Sequence, residues 1–387
     1  MQTILLTVGR GPFPLTLARC FHAAGHKVIV ADVWPRTLCH YSQAVAQCFQ
    51  VPSPATANQA WLKAIQRIVR DCAVDLIVPI YEETLYLAQA LAQWPDPPKI
   101  FAPDLASLLR LHDKWRFNQQ AAALGLTVPA TELLASRDAL IHSFTAHDGS
   151  NKVFKPVCSR FATQTLIRPK SLAAFDKIIP TAQKPWIAQD FLPGRPYSTF
   201  SVAHRGQITA HATYAPDFCL RLGPTSVYQH VAQPAVFKWV QSFIAATRYT
   251  GQIGIDFMET AGGEISAIEC NPRLTGGLYL LKDDPALAAA YLDPNQPIIQ
   301  ASTRRSYAFR AGLFLTLFRH TRDFPGYKTW CHQYFSARSV NEFLLSDPKP
   351  RLMAPFLDCA FLARCLRERQ NPQHLLTNDM DWNEQSP

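Results

Sequence analysis

The sequence predicts an α/β protein that opens with a doubly wound, Rossmann-like domain and continues into an α+β part. Residues 3–8 are an apolar run that ends in a glycine-containing turn, and residues 15–24 then follow a helical pattern. A second buried strand, residues 27–31, completes a strand–turn–helix–strand unit, which is typical of a parallel sheet. Residues 75–80 read as a third strand of the same sheet, so the first hundred residues form one small domain.

After the first hundred residues, the predicted strands and helices alternate less regularly. Asp113 is predicted to cap the N-terminus of a helix that carries Lys114 in its first turn. Further along the chain the pattern predicts strands at 153–156 and 186–191, a hairpin over 199–213 that turns at Arg205-Gly206, and a helix over 235–249. Beyond residue 300 the chain is rich in arginine and aromatic residues, with helical stretches over 311–319 and 354–367.

The amino-acid composition limits the classes of protein to which this chain can belong. The chain has 387 residues, of which 48% are hydrophobic and 17% charged, so it has material for several packed domains. No window of about 18 apolar residues predicts a membrane span, and the N-terminus lacks a secretory pattern. Ten cysteines are scattered singly without CxxC spacing, which favours reduced thiols in a cytoplasmic protein.

The net charge of +9 raises the question of an anionic partner. No run of five basic residues and no nucleic-acid motif is present, so nucleic-acid binding is not expected. Anionic small molecules account for the charge more simply.

A glycine turn joins two strands that both carry acids. Gly262-Gly263 suits a two-residue hairpin turn, and counting back from that turn places Asp256 opposite Glu269. Directly opposed residues point to the same face of a sheet, and Asn271 lies on that face too.

Two facing carboxylates repel each other unless a cation lies between them. Asp256, Glu269 and the amide of Asn271 are oxygen ligands that suit Mg²⁺, and Arg273 beyond them can neutralise a phosphate. The alternative is a surface hairpin whose acids are simply solvated.

These residues carry a resemblance to a known superfamily. The segments are residues 184–194 (KPWIAQDFLPG), 251–257 (GQIGIDF) and 267–273 (AIECNPR). They resemble the ATP-grasp superfamily, within it the carbamoyl-phosphate-synthase-like group, and most closely the mycosporine-glycine synthase-type ligases. The likeness covers roughly residues 1–295.

The resemblance implies a division of the chain into four parts. These are a Rossmann-like pre-ATP-grasp domain over residues 1–105, an ATP-grasp N-terminal subdomain with the phosphate loop over 106–185, an ATP-grasp C-terminal subdomain with the metal site over 186–300, and a mostly helical C-terminal extension over 301–387.

The resemblance also implies an ATP site. Lys114 and Lys155 match the lysines that approach the nucleotide phosphates, and Arg160 lies in the loop that covers them. The adenine contacts fall on the backbone of a hinge formed by Gln189, Asp190, Phe191 and Leu192. Superfamily members commonly carry a glutamate for the ribose where this chain has Pro196, so Ser198 is the candidate replacement. The loop at 157–163 also lacks the usual glycines, which leaves fewer backbone N–H groups for a phosphate.

The implied activity is that of an ATP-dependent carboxylate–amine ligase. Such an enzyme phosphorylates a carboxylate or enol with Mg²⁺-ATP, or with Mn²⁺ in its place, and couples it to an amine such as an amino acid. Arg273 and Arg221 are the candidate catalytic residues. Glu82 or Glu83 could hold the amine, although a solvated helix start explains that pair equally well.

Two rival functions remain open at this point. The first is a nucleotide-binding protein of ATP-grasp fold without turnover, which the missing ribose acid favours. The second is a nicotinamide-linked dehydrogenase, which the incomplete glycine pattern after Val8 opposes. The sequence leaves the acid, the amine and the oligomeric state open, including a homo-oligomer. For residues 301–387, packing on the catalytic core is favoured over contact with a membrane surface.

Overall fold

The computed structural model describes residues 1–146, 149–159, 164–216, 218–219, 225–301, 306–316, 324–342 and 344–382. Its first strands and helices are β1 (Thr3–Leu6), α1 (Pro12–Ala23), β2 (Lys27–Asp32), β3 (Gln47–Gln50), α2 (Asn58–Cys72), β4 (Leu76–Val78), α3 (Glu83–Ala90), β5 (Lys99–Ile100) and α4 (Leu105–His112). Within the described residues these strands form one parallel sheet in the order β3-β2-β1-β4-β5. The doubly wound prediction for this part of the chain is therefore confirmed.

The middle of the chain contains two further sheets. Its first elements are α5 (Lys114–Ala123), β6 (Thr131–Leu134), α6 (Arg137–Thr145), β7 (Lys152–Pro156), β8 (Leu166–Ile167) and β9 (Trp186–Asp190). The strands among them form a four-stranded sheet in the order β6-β9-β7-β8. Helix α5 begins as predicted, because the Asp113 carboxylate accepts the N–H of Arg116 at 2.8 Å.

The larger sheet is assembled from the second half of the chain. The described strands and helices in this half of the chain are β10 (Gly194–His204), β11 (Gln207–Ala215), β12 (Val227–His230), α7 (Pro234–Thr247), β13 (Gly251–Thr260), β14 (Ile265–Asn271), α8 (Leu287–Leu292), β15 (Ile299–Gln300), β16 (Ser306–Ala308), α9 (Arg310–Leu315), α10 (Phe324–Ser336), β17 (Arg338–Ser339), α11 (Lys349–Glu368) and α12 (Pro372–Leu375). The sheet order is β14-β13-β10-β11-β12-β16-β17, with β15 beside β11. The predicted turn between β10 and β11 is present: Arg205 and Gly206 have φ of 47° and 92°, as a tight hairpin requires.

Short 3₁₀ turns connect several of these elements. They are Leu38–Tyr41, Leu91–Gln93, Gly149–Asn151, Leu172–Phe175 and Gly276–Leu280. A single apolar cluster joins the N-terminal sheet to the large sheet, since Val8 and Phe101 belong to the same core as Phe200 and Leu278. The two parts therefore share one core where they meet, and each also has a core cluster of its own.

The later part of the C-terminal extension, residues 347–382, packs on the N-terminal domain. The Asp347 carboxylate accepts hydrogen bonds from Arg19 Nε at 2.9 Å and from Ser42 Oγ at 2.6 Å. On helix α11, the ring of Phe361 lies 5.7 Å from that of Trp34. Strand β16 instead belongs to the large sheet, because it pairs with β12. Residues after 300 thus hold the two parts of the molecule together.

Residues 376–382, which we call the C-terminal turn, also fold back onto the N-terminal domain. Asp379 forms an ion pair with Arg10 at 2.8 Å, and the Trp382 ring lies 4.8 Å from that of Tyr86. Both Arg10 and Asp379 are buried or nearly so, with side-chain exposures of 6% and 13%. No helix in the described residues is long and apolar enough to cross a membrane.

A buried histidine makes stability depend on pH. His211 lies in the middle of β11, where Ser201 and Thr213 hydroxyls lie 2.9 Å and 2.8 Å from its ring nitrogens. Burial, with a smaller contribution from His230, lowers the pKa of His211 to about 3. The folded protein therefore keeps this ring neutral at pH values where the unfolded chain takes up a proton. Stability is present above the unfolded pKa and is lost as pH falls from about 6.5 toward 3.

We expect His211→Asn to remove this part of the acid sensitivity. Between pH 6.5 and pH 5 the wild type should lose about 2 kcal/mol more unfolding free energy than the variant. Urea unfolding at several pH values measures the difference. Parallel losses in both proteins over this range would show that His211 titrates normally.

Candidate active site between two sheets

The hairpin β13–β14 brings the two predicted acids together, but by a different route from the one predicted. Thr260 and Glu264 close a three-residue turn, since the Thr260 N–H donates to the Glu264 carbonyl at 2.9 Å. A bulge at Ile268 then shifts the register by one residue, and Asp256 lies opposite Glu269. The prediction of a two-residue turn was wrong, whereas the pairing of Asp256 with Glu269 is confirmed.

The bulge has a consequence for the site. In a regular ladder the Ile268 carbonyl would face the neighbouring strand, but here it accepts a hydrogen bond from Lys155 Nζ at 3.3 Å. Bulges turn backbone groups out of the ladder in this way and are common beside functional sites. The irregularity therefore connects the hairpin to the lysine of the smaller sheet.

Three side chains surround the carboxylate of Asp256. Ser198 Oγ donates to Asp256 Oδ1 at 2.6 Å, and Asn271 Nδ2 donates to Oδ2 at 3.2 Å. Arg273 in turn donates to Asn271 Oδ1 at 3.0 Å. Asp256, Asn271 and Arg273 thus lie together, as predicted. Ser198 positions the Asp256 carboxylate through this hydrogen bond, and its contact with the ribose stays a prediction.

Two lysines from outside the hairpin lie beside Glu269. Lys114 Nζ is 3.4 Å from Glu269 Oε1 and donates to the Ser159 carbonyl at 3.1 Å. Lys155 Nζ donates to Gln189 Oε1 at 3.0 Å. Both lysines are buried, with 4% and 5% of the residue exposed. Buried lysines need anionic or polar partners, so this cluster has the charge expected of a phosphate site.

The pKa values show how strongly these groups interact. Burial and the neighbouring Glu269 raise the pKa of Asp256 to about 6. Burial alone would raise the pKa of Glu269 as well, but the charges of Lys114 and Lys155 outweigh it and lower the pKa. Burial lowers the pKa of Lys155 to about 8. The clustered charges are thus only partly compensated within the site.

The predicted adenine hinge connects the two sheets. Its first residue, Gln189, is in β9, and its Nε2 donates to Thr131 Oγ1 at 3.3 Å while its Oε1 accepts from Lys155. The N–H groups of Asp190 and Phe191 are taken by the carbonyls of Ala130 and Asn151 at 2.9 Å and 3.1 Å. Leu192 follows, just before β10 begins, so the hinge is the link between the small sheet and the large sheet.

Two predicted site residues, Arg160 and Arg221, lie outside the described residues. The predicted acids Glu82 and Glu83 are described, and both are buried rather than solvated. Glu83 accepts hydrogen bonds from Thr7 Oγ1 at 2.8 Å and from the Ile80 N–H at 2.6 Å. Because it already binds the ends of two strands, Glu83 has a structural role at the sheet edge.

Sequence reasoning missed Asp32, which decides what the glycine turn after β1 can do. Its carboxylate accepts the N–H groups of Gly9 and Arg10 at 2.7 Å and 2.9 Å, and it forms an ion pair with the Arg10 guanidinium. In dinucleotide-binding domains such N–H groups face a pyrophosphate. Here an internal carboxylate occupies them, which argues against the dehydrogenase alternative. The signal was an acid at the end of the second strand.

The donor set at the hairpin fits a hard divalent cation. Among the described residues no three His, Cys, Asp or Glu side chains form a metal cluster. The site instead offers the carboxylates of Asp256 and Glu269 and the amide of Asn271. Magnesium is commonly held by one or two carboxylates together with phosphate oxygens, so this incomplete set suits it.

Comparison with known proteins identifies the class of domain. Residues 111–277 match the family model of the ATP-grasp domain. With the two sheets that enclose the cleft, the match establishes that this chain contains an ATP-grasp domain and has the ATP-grasp fold. No curated protein matches the sequence significantly.

Three solved structures show what the fold is similar to. One is N5-carboxyaminoimidazole ribonucleotide synthetase in complex with ADP, with a TM-score of 0.63, 16% identity and coverage of 79% of this chain and 80% of that chain. A second is L-amino acid ligase from Bacillus licheniformis, with a TM-score of 0.53, 16% identity and coverage of 72% and 69%.

The third is the biotin carboxylase domain of 2-oxoglutarate carboxylase from Hydrogenobacter thermophilus, in complex with MgADP, ADP and bicarbonate. It has a TM-score of 0.57, 12% identity and coverage of 74% of this chain and 69% of that chain. At such low identities the three likenesses establish the fold and not the activity.

Proposed function

We propose that this protein is an ATP-dependent carboxylate–amine ligase. The observation that carries the proposal is the convergence of Lys155, from the smaller sheet, and Lys114, from the start of α5, on Glu269 of the hairpin. This arrangement places two cations beside a carboxylate pair, so the cluster has a basic side and an acidic side. A nucleoside triphosphate with a divalent cation has the charges that complement both sides.

Asp256, Glu269 and Asn271 would hold the magnesium ion. When bound, the ion neutralises charge on the β- and γ-phosphates of ATP. Its charge would also offset the burial and the repulsion from Glu269 that together raise the pKa of Asp256. Ser198 keeps the Asp256 carboxylate in position through its hydrogen bond of 2.6 Å.

The lysines and Arg273 would act on the phosphates and the acid. Lys155, fixed by Gln189 and the Ile268 carbonyl, is positioned to bind a phosphate oxygen. Lys114 is positioned to bind another, since its ammonium group already reaches Glu269. Arg273 has a bidentate guanidinium close to this pair and would stabilise the negative charge of the phosphorylated acid.

The proposed ligase reaction has two steps. A carboxylate oxygen of the acid attacks the γ-phosphorus, the bond from that phosphorus to the bridging oxygen breaks, and ADP leaves with the bond electrons. The nitrogen of a neutral amine then attacks the acyl carbon, inorganic phosphate leaves, and the nitrogen loses a proton as the amide forms. Catalysis rests on positioning and charge neutralisation rather than on a protein nucleophile.

The structural neighbours support the ligase class over a dehydrogenase. One is named as a synthetase bound to ADP and another as an L-amino acid ligase. We place the chain nearest to mycosporine-glycine synthase-type ligases on the sequence resemblance of residues 184–194, 251–257 and 267–273. An amino acid as the amine, and a cytoplasmic location, belong to the same proposal.

The test is release of ADP and phosphate from Mg-ATP in the presence of paired acids and amines. The purified chain is offered the twenty amino acids and a panel of small carboxylic acids and enols, with mass spectrometry of active wells. ADP formation that requires both an acid and an amine is the expected result. ATP hydrolysis that is independent of every acid and amine would contradict a ligase, and tight ATP binding without turnover across the panel would favour the non-catalytic alternative.

A further inference from the structure

The C-terminal helix α11 has two apolar faces, and within the described part of the chain only one of them packs against other residues. On the inner face Ala354, Leu357 and Phe361 join the N-terminal core or contact Trp34. On the opposite face Leu352, Phe356 and Leu366 are exposed by 59%, 68% and 80%. The inner contacts already account for the docking of the helix, so folding does not require the outer face.

The outer face is a continuous stripe. We call it the α11 stripe, and its members follow one another at spacings of four, three, four and three residues: Leu352, Phe356, Cys359, Ala363 and Leu366. At about 3.6 residues per turn these positions lie above one another along one side of the helix. Leu362 borders the stripe and is 54% exposed. A stripe of this kind on a helix surface marks a contact with an apolar phase or partner.

Basic side chains flank the stripe on both sides. At about 100° per residue, Lys349 and Arg367 fall on one flank and Arg351 on the other, with Arg369 at the end of the helix. All four are exposed. Glu368 is directed away from the stripe and pairs with Arg364 at 2.8 Å. Asp358, next to Arg351, is the acid on the flank, and burial raises its pKa.

The positive charge on both flanks indicates what kind of partner binds the α11 stripe. A second copy packed on this stripe in the antiparallel sense would place Lys349 against Arg367 along one flank and Arg351 against Arg369 along the other, so like charges would meet. An anionic lipid surface offers both an apolar layer and the opposite charge. The whole chain, with a net charge of +9, has the same preference.

We propose that the α11 stripe docks the protein reversibly on anionic lipid bilayers, with the helix lying in the plane of the interface. Leu352, Phe356 and Leu366 enter the apolar boundary while the flanking lysine and arginines contact lipid phosphates. The proposal is independent of the ligase activity, since none of these residues belongs to the site between the sheets.

Co-sedimentation of the full chain with vesicles tests the proposal. The probes are vesicles of equal parts phosphatidylcholine and phosphatidylglycerol, and vesicles of phosphatidylcholine alone. We expect binding to the anionic vesicles to be at least about tenfold stronger and to weaken with salt. Equal or absent binding to the two kinds of vesicle would overturn the proposal.

Two variants separate the apolar and the charged contributions. The triple variant Leu352→Ser, Phe356→Ser, Leu366→Ser should bind anionic vesicles at least about tenfold more weakly. The double variant Lys349→Glu, Arg351→Glu should lose at least about tenfold, and acids in the first turn of a helix favour its folding. Ile179→Ser, which removes an apolar side chain that is 69% exposed elsewhere, is the matched control and should bind as the wild type does.

Circular dichroism of each variant shows that the helix is retained. Undiminished vesicle binding by the folded triple variant would overturn the proposal. So would sedimentation velocity that shows a wild-type dimer, a monomeric triple variant and no vesicle binding, because the stripe would then bind a second copy. If the triple variant misfolds, the double charge variant and the salt dependence decide the outcome.

Discussion

Glu269→Ala is expected to weaken ATP binding in the presence of magnesium at least about 100-fold. Loss of a residue that only supports a metal ligand typically costs 10–100-fold, and Glu269 is proposed as a ligand itself. In the absence of magnesium the same change should leave ATP binding unchanged or tighter. The reason is that Lys114 and Lys155 lose the carboxylate that lowers their availability to phosphate.

Isothermal titration calorimetry with and without Mg²⁺ measures both effects. Glu264→Ala is the matched control, since Glu264 is an exposed acid at the turn of the same hairpin. It should bind Mg-ATP as the wild type does. A Glu269→Ala protein that retains wild-type affinity for Mg-ATP would remove Glu269 from the metal site.

Arg10→Ala is expected to destabilise the N-terminal domain by about 3–5 kcal/mol. Breaking a buried ion pair on one side typically costs this much, because the partner carboxylates stay buried without their cation. Arg10 pairs with both Asp32 and Asp379 at 2.6 Å and 2.8 Å, and Asp379 belongs to the C-terminal turn. Burial raises the pKa of Asp379 even with Arg10 in place, so the variant should bury an acid with little compensation.

Urea unfolding gives the free energy, and hydrogen exchange should show faster exchange over residues 9–11 and 376–382 together. Arg70→Ala is the control, since Arg70 forms a surface pair with Asp71 and is 75% exposed. Its loss should cost less than about 1 kcal/mol. If Arg10→Ala unfolds like Arg70→Ala, the C-terminal turn is not held by this ion pair.

The hairpin shows how far sequence reasoning reaches. The pairing of Asp256 with Glu269 followed from strand alternation and from the glycines that mark a turn. The turn, however, has three residues rather than two, and the bulge at Ile268 restores the register. Neither feature can be predicted from alternation alone, because a bulge depends on what the freed carbonyl binds. Here its partner, Lys155, is more than one hundred residues away in the sequence.

Contacts that are distant in the sequence account for most of what could not be predicted. Nothing in the C-terminal segment by itself indicates that Asp347 binds Arg19 and Ser42, or that Asp379 binds Arg10. The same holds for Glu83, which looked like a solvated helix start but accepts hydrogen bonds from Thr7 and Ile80. Local patterns specify strands and caps, whereas buried ion pairs depend on the assembled fold.

Crystallisation of the protein with Mg²⁺ and a non-hydrolysable ATP analogue shows directly whether the nucleotide and the metal bind at the β13–β14 hairpin. We predict that the phosphates contact Lys114 and Lys155, that the metal contacts Asp256 and Glu269, and that the adenine lies against the segment 189–192. A nucleotide bound instead at the turn of residues 9–11 in the N-terminal sheet would contradict the account, as would an analogue in the cleft with no metal at the hairpin.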